Sequence, residues 1–168
     1  MCLRGLRISG VGLALLLVAG CTSGPRPQPL RWQAVASDAG QPPELNAQLL
    51  VLRGQPIRTA AVYTAPLDIE CEVELVRAIA AQAAFDIRLV PKDGAAVGVR
   101  VAWDQPPLRL VVGQSYVIRV AVAPKFRVTV NDLELPQPSL PLPTGPFQVE
   151  LAGAPASSEW RLRRCVVR

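Results

Sequence analysis

Beyond residue 30, apolar and polar positions alternate with a period of two almost everywhere, the spacing that puts successive side chains on opposite faces of a strand. The cleanest run is Leu67-Asp68-Ile69-Glu70-Cys71-Glu72-Val73-Glu74-Leu75, with acids on one side and Ile69, Cys71, Val73 and Leu75 on the other. Shorter runs at 30–35, 49–53, 57–63, 85–90, 97–103, 108–112, 116–123, 126–130, 133–135, 147–151 and 160–167 read as further strands. Gly or Pro stands at nearly every junction, as in a sandwich or barrel of many short strands. Asn131-Asp132, between Val128-Thr129-Val130 and Leu133-Glu134-Leu135, reads as a two-residue hairpin turn, because Asn and Asp tolerate positive φ. The pattern predicts an all-β domain.

Two stretches depart from this rule. Residues 36–43 read as loop. Residues 74–84, Glu-Leu-Val-Arg-Ala-Ile-Ala-Ala-Gln-Ala-Ala, are strong helix formers, which admits a helix. The clean alternation on both flanks favours two strand ends around a loop instead.

The N-terminus follows another logic. Arg4 and Arg7 precede an apolar run from Ile8 to Val18, and Ala19 and Gly20 then lead to Cys21. That run is too short to span a bilayer, which takes roughly 20 residues. Its order of charge, apolar run and small residues is that of a signal peptide. Val18-Ala19-Gly20-Cys21 resembles the bacterial lipobox, in which the cysteine is lipidated and becomes the first residue of the mature chain. The resemblance implies a signal peptide over 1–20 and an exported protein held on the membrane by lipid on Cys21. Two or more acyl chains anchor stably where one does not. Thr22 in place of Asp leans, by resemblance to Gram-negative sorting rules, towards the outer membrane, on its periplasmic side or at the cell surface. From Cys21 to Leu30 the alternating prolines read as an extended tether, leaving 31–168 as the domain.

Composition changes the picture mainly by subtraction. The chain carries 18 Lys and Arg against 13 Asp and Glu, a net charge of +5. Removing residues 1–20 takes away Arg4 and Arg7 and no acid, so the mature charge is about +3 and a nucleic-acid partner loses its support. There is no histidine, which excludes Ser-His and Cys-His catalytic pairs. Nothing resembles a phosphate loop, a metal cluster or a nucleophile elbow, so neither cofactor nor metal is expected.

Charge and cysteine placement then converge on one strand pairing. If the strand bearing Cys71 lies antiparallel to that bearing Cys165, Asp68 meets Arg168 and Glu72 meets Arg164. Arg161 and Arg163 fall diagonal to Glu74 and Glu72. Opposite charges across such a pair contribute roughly 0.2–1 kcal/mol each. An exported protein meets an oxidising compartment, so Cys71 and Cys165 are disulfide candidates, the alternative being two buried free thiols on different strands.

The order of segments is itself familiar. Leu50-Val51-Leu52-Arg53-Gly54, Ile57-Arg58-Thr59, Tyr63 and the run from Leu67 to Val73 resemble the opening of concanavalin A-like (laminin G-like) jelly-roll domains, nearest the 3-keto-disaccharide hydrolase-type family. Val128-Thr129-Val130-Asn131-Asp132 resembles their "V-x-V-N-G" hairpin, with Asp132 in place of the turn glycine. Gly145-Pro146-Phe147-Gln148-Val149-Glu150-Leu151 resembles "G-P-I-G-L", and Glu159-Trp160-Arg161-Leu162-Arg163 resembles the closing "E-F-R-N-I" strand. The likeness covers most of residues 45–168. It implies a concanavalin-like antiparallel β-sandwich whose second long strand and last strand are neighbours. The "N-S-G" stretch of relatives has no counterpart, and relatives carry more loop over the face where sugars would bind.

Candidate chemistry is sparse. The ladder Asp68, Glu70, Glu72, Glu74 spaces its acids about 6.6–6.8 Å apart along one face, near the span of an inverting carboxylate pair. Glu70 and Glu72 are its catalytic candidates. Jelly-roll glucanases use an "E-x-D-x-x-E" strand with a bulge, whereas alternation here is strict, and a solvated face balanced by the terminal arginines is the competing reading. Trp103 with Asp104 offers a sugar-stacking edge, or caps the core. The arginines at 161, 163, 164 and 168 face either those acids or an anionic lipid surface. The expected function is a non-catalytic binding or structural module at the cell envelope, with a glycan or an envelope protein as ligand. The alternative is a glycoside-active enzyme of the keto-disaccharide type.

Overall fold

The computed structural model describes residues 27–35, 44–45, 50–78, 83–102, 108–136 and 140–168. In chain order the strands are β1 (Gln28–Pro29), β2 (Trp32–Ala34), β3 (Glu44–Leu45), β4 (Leu50–Leu52), β5 (Ile57–Thr59) and β6 (Leu67–Arg77). They continue with β7 (Ala84–Pro91), β8 (Val97–Ala102), β9 (Ser115–Val122), β10 (Phe126–Val130), β11 (Leu133–Glu134), β12 (Phe147–Ala154) and β13 (Glu159–Val167). All the pairings among them are antiparallel. They form two sheets, one of eight strands in the order β11-β10-β9-β6-β13-β4-β3 with β1 added beside β13, and one of five in the order β2-β5-β12-β7-β8. This is a two-sheet sandwich, one of the two architectures the alternation allowed, and the jelly-roll form that the family resemblance implied.

The core lies between the sheets because period-two alternation leaves each sheet one apolar face. The larger sheet contributes Leu52, Ile69, Val73, Leu75, Ile118 and Trp160, and the smaller Ile57, Phe85, Ile87, Leu89, Phe147 and Leu151, all essentially inaccessible to solvent. Burying a side chain of this kind stabilises by roughly 1.5–3 kcal/mol. Phe85 and Trp160 meet across the interface with ring centroids 5.3 Å apart. Gly153 lets them do so, since a Cβ there would stand 2.6 Å from Cδ1 of Trp160.

The predicted register is present. Cys71 opposes Cys165 and Glu72 opposes Arg164. The two cysteines form a disulfide with Cα atoms 4.0 Å apart. A bulge between Leu162 and Arg164 then shifts the rest of β13 by one residue, so Arg161 stands directly opposite Glu74 rather than diagonal to it. The extra residue explains why Arg163 and Arg164 are both exposed although they are consecutive.

Other expectations change. Gln28–Pro29 pairs with Val166 and Val167, and Leu30 is buried, so the sheet takes up the end of the segment read as tether. Residues 108–112 are not a strand. Leu110 is buried, while Val111 and Val112 run exposed into a turn whose Gly113 N–H donates to Leu75 O. The run at 57–63 is strand only to Thr59. The chain rejoins the sheet at Tyr63, which exchanges two 2.8 Å backbone hydrogen bonds with Phe147. Strand β6 continues to Arg77 and β7 begins at Ala84, as favoured for 74–84, with residues 79–82 outside the described residues. Asn131 and Asp132 form the hairpin turn with φ of 49° and 67°. Asn131 Oδ1 accepts from the Val117 N–H at 2.8 Å, and its own N–H donates to Val117 O.

Candidate functional site

Alternation sends one polar set outward from each sheet, producing two charged faces. On the larger sheet the acidic ladder of β6 lies between β9 and β13, and both neighbours supply arginines. Glu70 accepts from Arg119 Nε at 2.9 Å and pairs with Arg168 at 2.7 Å and Arg164 at 3.4 Å. Glu74 pairs with Arg163 at 2.6 Å and Arg161 at 3.5 Å. Arg119 also reaches Asp132 in the hairpin turn.

Two pairings differ from expectation. Arg168 sends its guanidinium to Glu70 and only its backbone N–H to Asp68, donating to Asp68 O at 2.9 Å. Arg164 opposes Glu72 in register but leans to Glu70. Arginine side chains span the diagonal spacing of a sheet, so register alone does not assign their partners.

The electrostatics oppose the role of general acid. The hydrogen bond from Arg119, helped by the charges of Arg168, Arg119 and Arg164 and opposed by burial, holds the Glu70 carboxyl below its ordinary range. The hydrogen bond from Arg163, with the charges of Arg163 and Arg161, does the same to Glu74 against a burial cost. A general acid needs the reverse, a raised value. Asp68 is exposed, and no bulge interrupts β6 between Asp68 and Glu74. The arginines attributed above to either acids or lipid are therefore occupied by Glu70 and Glu74. Beside them lies a depression of about 310 Å³ lined by Asp68, Glu70, Arg119, Arg127, Asp132 and Arg168 among others.

The smaller sheet carries a second network, which sequence reading missed. Arg100 on β8 grips Asp86 on β7 through two bonds, Nε to Oδ1 at 2.7 Å and Nη2 to Oδ2 at 2.9 Å. Arg58 on β5 donates to Glu150 on β12 at 2.7 Å. Arg88 lies between, 3.5 Å from both Asp86 and Glu150. The signal was the alternation Phe85-Asp86-Ile87-Arg88-Leu89, the pattern of β6 on a second strand, but its partners come from three other strands.

Two concavities border the β7–β8 hairpin on this side. A groove of about 800 Å³ runs between the hairpin and the Pro141–Pro146 segment, with Arg58, Val62, Lys92 and Gln148 in its walls. A notch of about 360 Å³ is lined by Asp86, Arg88, Ala96, Gly98, Val99 and Arg100. Trp103 and Asp104, the expected sugar-stacking edge, lie outside the described residues, as does Cys21. Among the described residues there is no cluster of three or more His, Cys, Asp or Glu placed to hold a metal ion.

No protein-family model and no curated protein matches the chain. Solved structures do. The carbohydrate recognition domain of Emp46p, in its metal-free form, superposes with a TM-score of 0.56 at 8% identity, covering 81% of this chain and 87% of that one. The carbohydrate-binding module CBM66 from Bacillus subtilis superposes with a TM-score of 0.54 at 10% identity, covering 83% of this chain and 96% of that one. At such identities the likeness is one of fold.

Proposed function

We propose that the protein is an exported lipoprotein, held on the cell envelope by lipid on Cys21, which presents a non-catalytic carbohydrate-binding β-sandwich. The observation that carries the non-catalytic part is the arginine pairing of Glu70 and Glu74. Carboxylates fixed in the ionised state beneath guanidinium groups cannot deliver a proton to a glycosidic oxygen. The carbohydrate part is supported by the open groove beside the β7–β8 hairpin, and by two similar folds that are themselves a carbohydrate recognition domain and a carbohydrate-binding module. Fold alone does not choose a ligand, so the groove is what the reading stands on.

The test is a glycan array probed with residues 22–168, a form that keeps β1 and Leu30 in the sheet. Retention of one glycan class, with no product released on prolonged incubation, is the expected result. Cleavage of a retained glycan would restore the enzyme reading, and retention of none would leave an envelope protein as the partner.

A further inference from the structure

We infer that the outward face of the smaller sheet, from Arg58 across Arg88 to Arg100, binds an anionic polysaccharide carrying carboxylates along its chain. The inference rests on the carbohydrate-binding reading and narrows its ligand class.

The first argument is how charge is layered. Asp86 and Glu150 lie in the floor, their side chains each 7% exposed, while Arg58, Arg88 and Arg100 lie over them at 28%, 48% and 60%. An approaching ligand therefore meets guanidinium groups first. The carboxylates beneath also fix those groups in place, which removes part of the ordering cost of binding. The bonds from Arg100 to Asp86 use Nε and Nη2, and a guanidinium has five N–H donors, so Arg100 retains donors for a further acceptor.

The second argument is position. In the sheet, Arg58 pairs with Glu150, Glu150 with Arg88 and Arg88 with Gly98, a single row running across the strands. At about 4.8 Å per strand, Arg58 and Arg88 stand about 10 Å apart. This row suits a chain of repeating charge better than a single ion. It ends at Gly98, where a Cβ would stand 2.4 Å from Ile87 O and 2.7 Å from Arg88 Cγ, so position 98 puts no side chain into the notch beside Arg88 and Arg100. Beyond it the groove adds Lys92 beside the hairpin.

The larger sheet supplies the contrast. Its depression sets Asp68, Glu70, Asp132 and Glu134 against Arg119, Arg127 and Arg168, and Asp132 is 79% exposed. There the acids reach the surface and would repel a polyanion. In the notch only the buried Asp86 opposes two arginines, and in the groove Asp93 opposes Arg58 and Lys92.

Titration calorimetry with polygalacturonate and with its carboxyl-reduced, neutral form tests the inference on residues 22–168. We expect binding of the first only, weakened about tenfold between about 0.05 and 0.5 M salt as the charges are screened. The double variant Asp86→Asn with Arg100→Gln removes a cation without stranding a buried carboxylate, and should lose at least about tenfold in affinity. The matched pair Glu74→Gln with Arg163→Gln on the other sheet should bind as the unaltered chain does. Equal affinity for the neutral polymer, salt-independent binding, or loss confined to the Glu74/Arg163 variant would overturn the inference while leaving carbohydrate binding intact. Binding to anionic phospholipid vesicles but not to polygalacturonate would also overturn it, assigning the arginines to lipid. If no glycan of any kind binds, the broader reading fails with it. Should the double variant not fold, the salt dependence and the neutral polymer still decide.

Discussion

Glu70 is the most heavily engaged carboxylate of the acidic ladder, contacted by Arg119, Arg164 and Arg168 at once. Its carboxyl titrates below the ordinary value, so the folded chain binds fewer protons than the unfolded chain in that range. The stability it contributes is complete above the ordinary carboxylate value of about 4.3 and disappears as pH falls through the lowered one. Melting temperature should therefore drop as pH falls below about 4.3, and Glu70→Gln should flatten that drop while costing about 1 kcal/mol near neutrality. Thermal melts of both proteins across the range would show it, and parallel curves would count against it. At the core, Gly153→Ala drives a methyl group into the Trp160 ring. A loss of about 1–3 kcal/mol in urea unfolding is expected, typical of overpacking. An unchanged midpoint would mean that the ring moves aside freely.

At the scale of elements, the disulfide joins strands that already pair, across a sequence separation of 94. Cys71→Ser with Cys165→Ser should cost about 2–5 kcal/mol, measured against the unaltered oxidised chain, and the reduced protein should show a similar loss. Deleting residues 22–30 should destabilise as well, because it removes β1 from the sheet and Leu30 from the core. A chain starting at 31 that melts with the longer one would show β1 to be dispensable. The β6–β13 pairing was legible because two independent marks, the cysteines and the charge order, identify the same register. The bulge at Arg163 was not, since two adjacent arginines read equally well as the end of alternation. Val111-Val112 misled for the opposite reason: apolar residues suggest a strand, but this segment lies in a turn where both stay exposed. The charged network of the smaller sheet stayed hidden because Arg58, Arg88 with Asp86, Arg100 and Glu150 come from β5, β7, β8 and β12 respectively, and no local pattern announces which strands will be neighbours.

For the whole molecule, alternation pointed to an all-β sandwich or barrel and the resemblance in segment order to a jelly roll, while the groove beside the β7–β8 hairpin depends on loops whose shape no periodicity encodes. The proposed anchor sets a geometric limit. From Cys21 to Gln28 the chain can reach no more than about 25 Å, so the end of the sandwich holding β1 would ride close to the bilayer. Cys21→Ser should release the protein from the membrane fraction and abolish labelling by a radioactive fatty acid. Continued sedimentation with membranes after that change would remove the lipid anchor from the proposal.

The position of β1 has a mechanical consequence. A pull on Gln28 directed along the axis of β1 would load its pairing with β13 in shear rather than peel it open. The next bond in line, from the Leu30 N–H to Cys165 O, delivers that force to one end of the disulfide. The other end is Cys71, in the middle of β6, so tension arriving from the N-terminal side would pass through a covalent bond to a central strand of the larger sheet.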